Sequence, residues 1–182
     1  MTSSDPLVEL LRRRSVRIGD FVLSSGLRST YYIDARLTTM SAEGLRLIGR
    51  RGLDAIRSAG WSPAAVGGLT MGADPVAYAI AAASLDAPPV VDAFSVRKEA
   101  KGHGTSRRIE GNFSPGVKVV VIEDVITTGG SAVQAIEAVR AERGDIVGVL
   151  AVVDREEGGL SAIEKFGIKV VSLTTTTALG LK

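Results

Sequence analysis

The sequence has no cysteine. That excludes disulfides and thiolate metal sites, and it fits a reducing compartment. Aromatic residues make up 4% of the 182, so the core must be built from Val, Ile, Leu and Ala. There is one histidine, His103. No apolar run approaches the ~18 residues that span a bilayer. The N-terminus, MTSSDPLVELLRRR, has no apolar signal-peptide core. The net charge of +2 gives no reason to expect a nucleic-acid partner or a membrane surface. Neither G-x-x-x-x-G-K-[ST] nor a G-x-G-x-x-G after a strand is present, so the usual nucleotide loops are absent. These exclusions leave a soluble cytoplasmic protein of one domain, with an ordinary 45% hydrophobic content.

What is present is an alternation. Asp5 or Ser4 can cap a first helix, with Pro6 in its first turn and Leu7, Leu10 and Leu11 at helical spacing. "IGDFVLSSGLRSTYYIDAR" reads as two strands around a Ser-Gly turn, and Ser41 can cap a long helix to about Ser58. From there short apolar strands ("AAVGGL", "PPVVDAFSV", "VKVVVIE", "DIVGVLAVVD", "IKVVSL") alternate with helices. Continuous apolar strands between helices predict an α/β fold with an open, mainly parallel five-stranded sheet and helices on both faces. Residues 1–36 do not fit the alternation. They are expected to form a small N-terminal hood, a helix and a β-hairpin, over a core of residues 37–182, with no further domain.

In such sheets ligands bind at the carboxyl ends of the strands. Four predicted strand ends carry chemistry: Gly67, Gly68 and Thr70; Arg97 and Lys98; Glu123 and Asp124; Asp154 and Arg155. The third is the most informative. In "VVVIEDVITTGGSA" an apolar strand runs into two acids, then Val125 and Ile126, then Thr127, Thr128, Gly129, Gly130 and Ser131. Two glycines permit a tight turn, and a helix starting at Ser131 aims free N–H groups and a positive dipole end at the same point. That is an anion site, with phosphate the expected anion. Two acids beside a phosphate repel it unless they face another part of the ligand. A sugar phosphate satisfies both: vicinal hydroxyls toward Glu123 and Asp124, phosphate toward the turn.

This stretch resembles the phosphoribosyl pyrophosphate (PRPP) motif of type I phosphoribosyltransferases. Two further stretches narrow the resemblance. "VRKEAKGHG" resembles the R-K-x-x-K-x-H-G mobile loop of the orotate phosphoribosyltransferase family, and "FVLSSGLRSTYYIDAR" resembles that family's N-terminal signature, F-x-L-x-S-G-x-x-S-x-Y-x-x-D. The residues agree with such a loop. Arg97, Lys98, Lys101 and His103 put up to four cations in seven residues, among glycines and hydroxyls, suited to a polyanion such as pyrophosphate. The family implies transfer of a phosphoribosyl group from PRPP to orotate with Mg²⁺. It implies that Glu123 and Asp124 hold ribose hydroxyls and that residues 125–131 hold the 5′-phosphate. Lys101 would be the foremost loop residue, and Thr127, Tyr32, Ile33 and Arg155 would meet orotate. It also implies that Mg²⁺ is held by substrate oxygens with no protein ligand set. A homodimer is implied, with loop 97–111 mobile and acting on the neighbouring subunit's site. Many members carry Lys where this chain has Ser24 and near Met71; here hydroxyls, backbone amides around Thr70 or the loop must serve. The rivals are a transferase for another base, or a PRPP-sensing regulator.

Overall fold

The computed structural model describes residues 5–22, 28–99 and 108–182. Helix α1 (Pro6–Ser15) starts where Asp5 accepts a hydrogen bond from the Leu7 amide at 2.9 Å, with Pro6 in the first turn. Strands β1 (Val16–Val22) and β2 (Arg28–Ile33) pair antiparallel; the turn between them lies outside the described residues. A four-residue helix, α2 (Arg36–Thr39), follows and was not expected. Then α3 (Ala42–Ser58) begins at Ser41, whose hydroxyl accepts from the Gly44 amide.

The remaining elements are β3 (Ala65–Leu69), α4 (Ala73–Leu85), β4 (Asp92–Val96), β5 (Ile109–Gly111), β6 (Lys118–Ile126), α5 (Gly130–Ala141), β7 (Asp145–Asp154), α6 (Gly159–Glu164) and β8 (Val170–Thr175). The sheet has six strands in the order β5-β4-β3-β6-β7-β8, not the expected five. The addition is β5, antiparallel to β4 at the edge, with Phe94 opposite Gly111 and Val96 opposite Ile109. It occupies the end of the stretch expected to be a mobile loop. Three residues are too few to show an alternating pattern, so only the pairing with β4 reveals the strand. β4 also starts later than expected, because Pro88 and Pro89 precede it and Val90 is exposed.

Successive β6 residues serve opposite faces. Val120 and Ile122 pack with Ile48 and Ile56 of α3, Val76 and Ile80 of α4, and Leu7, Leu11, Tyr31 and Ile33 of the N-terminal segment. Val119 and Val121 pack with Ile136 and Val139 of α5 and Ile163 of α6. The chain passes from β3 outward to β4 and β5, then returns to place β6 on the other side of β3. The carboxyl ends of β3 and β6 therefore flank a topological switch point, where a crevice opens.

Candidate active site

Two adjoining cavities lie at that switch point. The first, about 290 Å³, is lined by Arg36, Leu69, Thr70, Met71, Gly72, Lys98, Glu123, Asp124 and Ser131. The second, about 250 Å³, is lined by Glu123, Gln134 and residues 125–131. Glu123 and Ser131 border both, so a single ligand can span the acids and the glycine turn.

The turn is built as an anion site. Gly129, with φ of +82°, caps α5, and no side chain among the described residues caps that helix end. The first helical N–H groups have no intrahelical partner and face the cavity end of the helix. Added at Gly129, a Cβ would sit 2.7 Å from the Gly159 carbonyl oxygen, so both the left-handed backbone and the space call for glycine. On the other side Gly72 lies against Asp124: a Cβ there would meet the carboxylate at 2.6 to 2.9 Å. The missing side chain keeps that acid open to the cavity.

The two acids differ in surroundings. Glu123 is 6% exposed, its Oε2 has no hydrogen-bond partner among the described residues, and its carboxyl is pushed up to about 9. Burial is the main cause, and the neighbouring charge of Asp124 adds to it. Glu123 is therefore protonated near neutral pH when no ligand is present. The sequence suggested two negative charges side by side; burial removes that of Glu123. Asp124 accepts from the Val125 amide at 2.8 Å, which fixes one of its oxygens.

Arg97 is half-exposed and pairs with Glu110 at 3.0 Å, while its amide donates to Arg108 at the base of the loop. Lys98 reaches the cavity beside Asp124. Lys101, His103 and Ser24 lie outside the described residues. Tyr32 is 40% exposed and packs at 5.7 Å on Phe21; Ile33 is buried in the core, so its side chain does not reach either cavity. Arg155 is buried, and its amide donates to the Ile126 carbonyl, which sets it beside the phosphate turn. Three residues went unnoticed in the sequence. Arg36 lines the first cavity and is held by Asp34 at 2.8 and 3.1 Å, which in turn keeps the Asp34 carboxyl below its usual range. The i, i+2 acid–base spacing was its one signal. Tyr31 and Glu157 contact Arg155; the period-2 alternation with Ile33 marked Tyr31 as inward-facing, and nothing marked Glu157.

The described residues contain no group of three or more His, Asp or Glu side chains able to hold a metal ion. The available donors are the hard oxygens of Glu123 and Asp124, a type suited to Mg²⁺, which keeps waters and substrate oxygens in its shell.

Comparison with known proteins gives a consistent result. The phosphoribosyl transferase domain matches residues 42–175. An orotate phosphoribosyltransferase of Aquifex aeolicus (strain VF5) is 48% identical over 176 residues, 95% of each chain. The chain belongs to the orotate phosphoribosyltransferase family. The family's solved structures agree in fold. Mycobacterium tuberculosis H37Rv orotate phosphoribosyltransferase, in complex with Fe(III) dicitrate, superposes with a TM-score of 0.84 at 47% identity, over 96% of this chain and 97% of that one. The same enzyme in complex with PRPP gives a TM-score of 0.79 at 43% identity, over 96% and 97%.

Proposed function

We propose that this chain is an orotate phosphoribosyltransferase. It joins N1 of orotate to C1 of the ribose of PRPP, giving orotidine 5′-phosphate and pyrophosphate for pyrimidine synthesis. The observation that carries this is the pair of cavities sharing Glu123 and Ser131, in a chain related to such enzymes over nearly its whole length. One cavity offers acids to a sugar, the other amides and hydroxyls to a phosphate, and PRPP presents both.

The residues divide the work along the substrate. Asp124 accepts from the ribose hydroxyls, and its charge favours cationic character at C1 as the bond to pyrophosphate breaks. Glu123 holds the other hydroxyl through its buried Oε2, which has no partner among the described residues. Thr127, Thr128, Gly129, Gly130 and Ser131, with Val125 and Ile126 before them, wrap the 5′-phosphate. The electron pair of the breaking C1–O bond leaves with pyrophosphate, and N1 of orotate gives up its proton to solvent as it bonds to C1. Lys101 is the foremost group to receive that charge. Lys98, Arg97 and His103 support it, with Thr70 and Met71 at the turn beneath. Pyrophosphate and ribose oxygens of the substrate would hold Mg²⁺, which would supply further neutralisation of that charge. Arg155, Thr127 and the Tyr32–Ile33 segment receive orotate; a planar guanidinium fork suits its carboxylate and carbonyl oxygens. The enzyme acts as a cytoplasmic homodimer, with the loop beginning at Arg97 completing the neighbouring subunit's site. Among the described residues no helix is long and apolar enough to cross a membrane. The test is turnover with orotate against adenine, hypoxanthine and uracil. A preference for any of the other three bases overturns the assignment.

A further inference from the structure

Arg155 is immobilised to a degree that binding a base does not by itself require. Its backbone is held from two sides: its amide donates to the Ile126 carbonyl at 2.9 Å, and its carbonyl accepts from the Thr176 hydroxyl at 3.0 Å. Thr176 is wholly buried, and its own amide donates to the Asp154 carbonyl. The next residue, Glu156, sits at φ of +56°, a conformation that side chains disfavour. Its carboxylate accepts from the Thr177 amide at 2.7 Å and from the Thr177 hydroxyl, which holds it there.

The side chain is fixed as firmly. The Arg155 guanidinium carbon lies 5.1 Å from the centroid of the Tyr31 ring, and Nη2 lies 2.8 Å from Glu157 Oε1. The guanidinium lies over the Tyr31 ring, and Glu157 takes one nitrogen. Nε is buried and has no partner among the described residues. A buried charged donor left unpaired costs more than a neutral one, so an acceptor is expected there. Nε is therefore a donor that a ligand can satisfy, beside the guanidinium nitrogen that Glu157 already holds.

We infer that Glu157 and Tyr31 are positioning residues that set the Arg155 guanidinium for the carboxylate of orotate, and so support selection of an acidic base. The inference rests on the orotate reading given above. Glu157 has two opposed effects. Its charge weakens the field that attracts an anion, and its ion pair fixes the fork. Orientation wins, because a bidentate fork that can rotate loses both of its directed hydrogen bonds.

The test is steady-state kinetics of Glu157→Gln, a change at a partly exposed side chain that leaves the core intact. The KM for orotate should rise about tenfold, as for loss of one charge-assisted hydrogen bond, while kcat and the KM for PRPP stay within about twofold. Tyr31→Leu removes the ring from the guanidinium and should raise the KM for orotate in the same direction. Because Glu157 acts through Arg155, adding Glu157→Gln to Arg155→Lys should cost less than about twofold further. A purely structural pair would lower the melting temperature without this split. An orotate KM that is unchanged or lower in Glu157→Gln, or a full tenfold effect on the Arg155→Lys background, overturns the inference. Wild-type protein that fails to turn over orotate overturns both this inference and the functional reading. Wild-type turnover with an unmoved Glu157→Gln overturns the inference alone.

Discussion

Replacing Glu123 with Gln isolates the ionisation that burial imposes on the site. In the folded chain the Glu123 carboxyl is raised from 4.5 to about 9, chiefly by desolvation. Between those two values the folded protein keeps a proton that the unfolded chain gives up. Stability then falls as pH rises through this window, with a slope of at most about 1.4 kcal/mol per pH unit. From pH 6 to pH 8 the loss is about 3 kcal/mol, a large share of an ordinary domain's stability. Glutamine has nearly the same shape and cannot ionise, so the variant lacks this slope. Its buried amide changes stability by an amount that pH does not alter. Urea unfolding at pH 6, 7 and 8 measures both proteins, and contributions from the other titrating groups largely cancel in the difference. The wild type should lose up to about 3 kcal/mol relative to Glu123→Gln over that range. Parallel curves would show that Glu123 is ionised in the fold, and the reasoning from its burial would fail.

Other consequences follow from the same geometry. Asp124→Asn keeps the shape but removes the charge beside C1, and kcat/KM should fall at least tenfold, about 1.4 kcal/mol or more. Gly129→Ala forces a side chain into a left-handed turn and toward the Gly159 carbonyl oxygen. It should cost about 1–2 kcal/mol of stability by denaturant titration and raise the KM for PRPP more than that for orotate. If the loop acts across a two-fold dimer, mixing inactive Lys101→Ala with inactive Asp124→Asn protein should restore activity. With random exchange half the dimers are mixed, so about a quarter of all sites would be intact. Exchange without any recovered activity would place the loop in its own chain's site.

The main frame of the fold was legible because it rests on local signals. The buried runs of β3, β6 and β7 read as continuous apolar segments, and Asp5 and Ser41 stand at the helix starts they cap. The acids and the glycine turn were legible because one short stretch carries them all. What escaped depends on contacts made across the chain. β5 is defined by its pairing with β4, and α2 has one turn. The protonation of Glu123 depends on how deeply β6 is covered, which no residue type announces. The cluster around Arg155 joins β2, the end of β7 and the segment after β8, three regions far apart in sequence.

The most direct test of the central claim is to mix the protein with orotate, PRPP and Mg²⁺ and follow the orotate absorbance while assaying pyrophosphate. The account predicts a loss of absorbance that requires PRPP, matched one for one by pyrophosphate formed, and at least tenfold slower with Asp124→Asn at subsaturating substrate. Orotate left unchanged by the wild-type protein, or pyrophosphate released without loss of orotate, would contradict it.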